Sequence, residues 1–373
     1  MDMQDLDQNI VWVPFDTMEA FMVDVLKGAG VPEADARLCA ENLITADKRG
    51  IDSHGTNRLK PIYYDRIKDG IMNPVTQMEI VRDFAATAVV DGHDGMGHVI
   101  GRHCMELAIE KAKKYGMGMV VARNSTHYGI AGYYATMATE QNMIGISGTN
   151  ARPSIAPTFG VENMLGTNPL CFGMPTDEEF PFVIDCATSI TQRGKVEVYA
   201  KLNKTMPQGW VIDENGGSKT DPNEVLKDLV AGTAALTPLG GIGEDGGGYK
   251  GYGYATVVEI LSAALQQGSY LKMLLGFEDG KKVPYHLGHF FIAINVEAFT
   301  EVDSFKHITG DILRQLRASR KMPGQDRIYT AGEKEYLTYL ERKNKGVPVN
   351  RELQKDIKAL VAELGLTQYH FDF

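Results

Sequence analysis

The sequence predicts an α/β protein, with a sheet-forming middle flanked by helical segments at both ends. Three observations carry this. Helix start and stop signals crowd the two ends of the chain. Short apolar, β-branched runs alternate with helical segments in between. No apolar run approaches the ~18 residues that a membrane helix needs, so the apolar 43% of the 373 residues is the share of an ordinary globular core.

Taken in order, "DTMEAFMVDVLKGAG" has a cap signal at Asp16-Thr17 and stops at Gly28 and Gly30. "PEADARLCAENLITADKRG" starts on Pro32, has two acids in its first turn and ends on Lys48-Arg49-Gly50, an arrangement that suits the helix dipole. "NRLKPIYYDRIKDG" continues as helix, and Pro61 kinks or restarts it. The strand-like runs are "TAVVDG" (87–92), "GMVVAR" (118–123), "MIGISGTN" (143–150), "PLCFGMP" (169–175), "PFVIDCATS" (181–189) and "HFFIAINVEAF" (289–299). Between them lie "HCMELAIEKAKKYG" and, after a glycine-rich loop, "YATVVEILSAALQQG", both helical. Thr330 and Glu333 form a T-x-x-E capping box, and Asn350 caps the last helix. This order predicts an N-terminal helical part (1–78), an α/β domain (79–300) and a C-terminal helical part (301–373) packed against the first.

The formal net charge is −10 and the sequence pI about 5.4. An acidic chain gains no general attraction to nucleic acid or anionic membrane, so neither is expected as a partner. An anionic substrate would need a local positive patch. Cys39, Cys104, Cys171 and Cys186 are widely spaced, with no metal-ligand or redox pair. The start, "MDMQDLDQ", has no apolar core and does not read as a signal peptide. A cytoplasmic protein with reduced thiols is the expectation.

Two glycine clusters invite a phosphate reading. "DGHDGMGHVIG" places Gly95, Gly97 and Gly101 between a strand and a helix, but with one residue too many for a dinucleotide motif. The next strand also ends in Arg123 where that motif wants an acid. This predicts a plain strand–turn–helix junction. In "GGIGEDGGGYKGYG", small residues before a helix could aim N–H groups at an anion, and Lys250 adds a charge. The same segment could equally be a surface loop.

The densest chemistry is in "KRGIDSHGTNRLKPIYYDR", where Ser53, His54, Arg58, Tyr63 and Tyr64 fall in one window. A second histidine, His127, sits in "NSTHYG" at a strand exit, where α/β proteins usually place ligands. Arginine offers a planar, permanently charged partner to a carboxylate, and histidine exchanges protons near neutral pH. Asp185 ends a strand, where it could cap a helix or contact a ribose or amide.

Together, "DSHGTNRL", "NSTHYG", "GTNPLCFGMP", "VIDCATS…GK", "YKGYG" and "LGHFFIAI" resemble the malate/L-lactate dehydrogenase family. That family also holds L-sulfolactate and ureidoglycolate dehydrogenases and diketogulonate reductase, and the likeness is strongest to its malate dehydrogenases. The resemblance runs over nearly the whole chain. It implies a three-layer α/β/α fold with a mixed sheet of the L-sulfolactate dehydrogenase-like type, not a Rossmann fold, and a homodimer. It implies NAD or NADP as cofactor, NAD being slightly favoured. It also implies a 2-hydroxy/2-keto acid as substrate, most closely (S)-malate and oxaloacetate; lactate, sulfolactate or ureidoglycolate are alternatives. A catalytically silent nucleotide-binding protein on the same fold is the reading from another class.

The resemblance makes His54 or His127 the acid/base, with Ser53 beside the first, and Arg58 the carboxylate ligand. It puts Asp185, Cys186, Ala187, Lys250, Gly251, Gly332 and Glu333 on the cofactor. No metal is implied. The family often has one residue fewer between its arginine and tyrosine, so the partner tyrosine is Tyr63 or Tyr64. Its usual P-G-E reads Ala331-Gly332-Glu333, and "GIGEDG" before Lys250 is extra.

Overall fold

The computed structural model describes residues 10–373; the "MDMQDLDQ" start lies outside them. A seven-stranded mixed sheet occupies the middle of the chain. Its strands are β1 (Glu79–Phe84), β2 (Thr87–Asp91), β3 (Met117–Ser125), β4 (Met143–Thr149), β5 (Leu170–Met174), β6 (Phe182–Cys186) and β7 (Leu287–Asn295). Their order is β1-β2-β3-β7-β4-β5-β6, with only β2 and β3 parallel. The late strand β7 thus inserts at the centre, bonded to β3 on one side and β4 on the other. The solvent-exposed edge strand β1 was not anticipated, because "EIVRDF" is charged and only weakly alternating.

Residues of alternating parity on β3 and β7 face opposite layers, as the pleat requires. Val120, Ala122, Phe291 and Ala293 pack under α3 (Gly97–Tyr115) and α4 (Ala131–Thr139). Val121 and Phe290 pack on the other side with Val258 of α7 (Gly248–Ala263). The result is three layers. A further cluster, around Ile155, Val211, Val225 and Leu236, fills a lobe that includes α5 (Arg193–Lys201) and α6 (Pro222–Ala231). α7 begins two residues before Lys250, earlier than the sequence suggests.

The largest apolar cluster joins the two chain ends. It combines α1 (Phe15–Gly28) and α2 (Glu33–Lys48) with Leu353, Ile357 and Leu360 of α10 (Arg351–Leu364). Val11–Val13 also pairs antiparallel with Val347–Val349. α8 (Val302–Ala318) rests instead by Arg314 and Arg317 on Asp177 and Glu178, in the β5–β6 turn. α1 starts at Phe15 after Pro14, with no side-chain cap, so Asp16 serves as a first-turn acid and not as the cap. At α9 (Glu333–Arg342) the box is half made: the Glu333 carboxylate accepts the Thr330 N–H at 3.0 Å. The Asn350 cap forms as read, accepting the Leu353 N–H at 3.0 Å. Among the described residues no helix is long and apolar enough to cross a membrane.

Candidate active site

The window that holds Ser53 and His54 leaves α2 as two short 3₁₀ turns, Asp52–His54 and Thr56–Arg58. It then winds as a π-helix over Leu59–Tyr64 and ends as a single α-turn, Asp65–Lys68. Two buried groups pin its start. The Asp47 carboxylate accepts the Thr56 N–H at 2.9 Å and the Thr56 hydroxyl at 2.6 Å. It also fills the space beside Gly55, where a Cβ would lie 1.9 Å from Asp47 Oδ1. Arg342, at the end of α9 and 1% exposed, donates to both Asp52 oxygens at 2.5 and 2.8 Å and to the Asp47 carbonyl at 2.7 Å. Burial, with Asp52 adding to it, pushes the Asp47 carboxyl up to about 7. The letters of "DSHGT" thus have structural reasons: Asp52 for Arg342, Gly55 for room, Thr56 for Asp47.

His127 arrives from the loop after β3. His289 of β7 underlies that loop, bonding Ser125 and Thr149 at 2.7 Å each. The Tyr63 hydroxyl meets His127 Nδ1 at 2.6 Å and His98 Nε2 at 3.0 Å, and the Gly129 N–H donates to His127 Nδ1 at 3.3 Å. Ser53 Oγ meets His54 Nδ1 at 2.9 Å. The two imidazoles stack, with centroids 5.8 Å apart and planes 24° from parallel. Each is therefore held through Nδ1, which leaves its Nε2 available to a ligand. Burial, with Arg58 adding to it, pushes His54 down to about 4. His127 lies well below its ordinary value, through burial and then His54, Arg66, His98 and Arg58. Both rings are neutral near pH 7, the form that can accept a proton.

Arg58 donates through Nε to the Ser53 carbonyl. Burial lowers the Arg66 pKa; Tyr285 and Tyr63 oppose that, and the neighbouring cations Arg58 and Arg152 add to it. Among the described residues no carboxylate bonds Arg58 or Arg66. The result is a partly buried positive site beside two neutral histidines, inside a chain of net charge −10.

The structure brings Ser53, His54, Arg58, Tyr63 and His127 together. Tyr64 faces elsewhere, its ring 5.4 Å from the Lys68 ammonium. Asp185, Cys186 and Ala187 line a cleft of about 730 Å³ with Ser53, Lys195 and Trp210. Asp185 does cap a helix as well: it accepts the Gly132 N–H at 2.6 Å in the first turn of α4. Gly332 lines a smaller cavity of about 270 Å³ with Arg49, Val183, Asp185, Tyr336 and Tyr339, on the other side of Asp185. The Glu333 carboxylate is engaged internally, by Thr330 and Arg327. Lys250 is exposed and lines neither cavity. A Cβ on Gly251 would lie 2.2 Å from the Leu239 carbonyl, so this glycine serves helix packing.

Three contributors escape the sequence reading: Arg66, Arg152 and His98. Arg66 was in view three residues after Tyr63, but a π-helix hides which residues share a face. His98 belongs to the glycine decoy. There, a Cβ on Gly97 would lie 2.3 Å from the Thr126 carbonyl and 2.5 Å from that of His127. That glycine makes room for the His127 loop, not for a phosphate. Arg123 is spent on Asp91, at 2.8 Å.

A family model described as malate/L-lactate dehydrogenase matches residues 13–358. A malate dehydrogenase of Pyrococcus horikoshii is 43% identical over 362 residues, covering 97% of this chain and 98% of that protein. The crystal structure of malate dehydrogenase from Entamoeba histolytica superposes with a TM-score of 0.93 at 46% identity, covering 98% of this chain and 100% of that one. The sulfolactate dehydrogenase of Methanocaldococcus jannaschii superposes at 0.84 and 36% identity, covering 95% and 97%. With the mixed sheet and paired histidines already in place, this chain belongs to the malate/L-lactate dehydrogenase family.

Proposed function

We propose that the protein is an NAD(P)-dependent oxidoreductase that interconverts (S)-malate and oxaloacetate. The observation that carries this is the positive, carboxylate-free site around Arg58, next to two neutral histidines and opening toward a cleft large enough for a dinucleotide. Arg58 holds the carboxylate beside the reacting carbon. His54 or His127 takes the hydroxyl proton through Nε2 during oxidation and returns it during reduction. Tyr63 and Ser53 fix the ring orientations from behind. A bound nicotinamide supplies the hydride acceptor. Asp185, Cys186 and Ala187 are the residues that would hold it, with Gly332 farther along. The buried hydroxyls of Ser189 and Thr191, which line the same cleft, have no protein partner, as suits a polar ligand there. NAD is favoured slightly over NADP. The same reading carries a cytoplasmic homodimer with no nucleic-acid partner, which the acidic charge supports.

The test is a panel of 2-keto acids assayed with NADH and with NADPH, followed by absorbance, on the wild type and on His54→Ala and His127→Ala. Oxaloacetate should lead the panel, and one histidine variant should lose about 100-fold or more in kcat while still binding cofactor. Cofactor binding with no turnover of any acid would instead make this a silent binding protein.

A further inference from the structure

We propose that Arg66 receives the second carboxylate of the substrate and so sets a preference for dicarboxylic over monocarboxylic 2-hydroxy acids. This rests on the oxidoreductase reading above and deepens it.

Tyr63 and Arg66 are three residues apart at the end of the π-helix and the start of the following α-turn, so their side chains share a face. The Tyr63 hydroxyl is fixed at 2.6 Å from His127, which turns that face toward the histidines. The Arg66 guanidinium lies over the Tyr285 ring, 4.5 Å from its centroid. Tyr285 comes from the segment leading into β7, so two separate parts of the chain hold this cation in place. A cation–π contact orients a guanidinium but does not neutralise it. With no protein carboxylate bonded to it, Arg66 keeps its charge and its hydrogen-bonding edge for a ligand.

The energetic argument runs the same way. Holding Arg58 and Arg66 near each other, partly buried, costs free energy in the empty site. One bound carboxylate offsets one of these charges. A dicarboxylate offsets both, while a monocarboxylate leaves Arg66 desolvated and unpaired. A site built to bind a charged group rejects the analogue that lacks it far more strongly than an apolar pocket rejects a missing methylene. Arg152, on the exposed loop after β4, adds positive potential but has no comparable support holding it.

The experiment compares Arg66→Gln, Arg66→Lys and Arg152→Gln with the wild type. Reduction of oxaloacetate and of pyruvate is followed with the same cofactor, and binding of (S)-malate and (S)-lactate is followed by calorimetry on the cofactor-loaded protein. For Arg66→Gln, kcat/KM for oxaloacetate should fall about 30-fold or more, while that for pyruvate stays within about threefold. Arg66→Lys, which keeps the charge, should recover part of the loss. Equal losses on both acids, or a selective loss that follows Arg152 instead, would overturn the assignment. If the wild type reduces neither acid, the oxidoreductase reading has failed. Calorimetry still decides this proposal in that case: Arg66→Gln must lose the malate-over-lactate preference, and a variant that keeps it refutes the role.

Discussion

Arg342→Met tests whether the Ser53–His54 segment is held from the far end of the chain. The guanidinium is 1% exposed and its partner Asp52 is 15% exposed. Three hydrogen bonds of 2.5–2.8 Å tie it to Asp52 and to the Asp47 carbonyl. Methionine keeps the bulk and removes all three, leaving a desolvated carboxylate beside a second one, Asp47. Breaking a buried pair from one side costs about 3–5 kcal/mol. Unfolding entropy of about 2.1 cal/mol/K per residue, over 373 residues, converts that to a Tm drop of about 4–6 °C. Thermal unfolding by circular dichroism measures it, and turnover should fall alongside, because the strained segment carries both Ser53 and Arg58. Adding Asp52→Asn removes the stranded charge and should recover a large part of the loss. If the double variant is as unstable as the two single losses added together, Arg342 and Asp52 do not act as a pair, and the clamp is not what holds the site.

Two further outcomes follow from the same geometry. Tyr63→Phe removes the hydroxyl between His98 and His127, two neutral hydrogen bonds worth about 0.5–1.5 kcal/mol each; steady-state kinetics should show kcat reduced by about 3–100-fold with little change in Tm. For pH, His54 is depressed to about 4, His98 and His289 to about 3, all by burial first, and His127 well below its usual value. The unfolded chain, titrating near 6.5, binds more protons than the native one below that pH. The stability these rings contribute is therefore complete above 6.5 and lost as pH falls through the depressed values. The urea midpoint should be lower at pH 5 than at pH 7, and an unchanged midpoint would contradict the burial of the four rings.

The layered fold was legible because its strands are short β-branched runs with clear turns between them, and because β3 and β7 alternate faces. The charged edge strand β1 was not, since little of it is buried. Nor did local pattern reveal that β7 lies between β3 and β4, because strand order follows long-range pairing. In the site, Ser53, His54, Arg58 and His127 stood out as chemistry-bearing types in short windows. Asp47 and Arg342 did not: one reads as an ordinary helix-end acid, the other as an ordinary last-turn base, and only their burial gives them meaning. Lys250 shows the converse. A lysine after glycines at a helix start suits an anion, yet here it points into solvent while Gly251 packs against Leu239.

The π-helix at Leu59–Tyr64 makes residue count itself a variable of the site. An α-helix advances 100° per residue, and a π-turn accommodates one residue more than an α-turn would. Deleting a single residue between Arg58 and Tyr63 would let the segment relax to α geometry, and everything after it would turn by roughly 100° relative to what precedes it. Tyr63 would leave His127 and Arg66 would leave Tyr285, although neither residue had been altered. In a library of variants, one-residue indels in this stretch should therefore behave like multiple substitutions at distant positions. Aligning relatives here by residue identity alone would pair side chains that point in different directions.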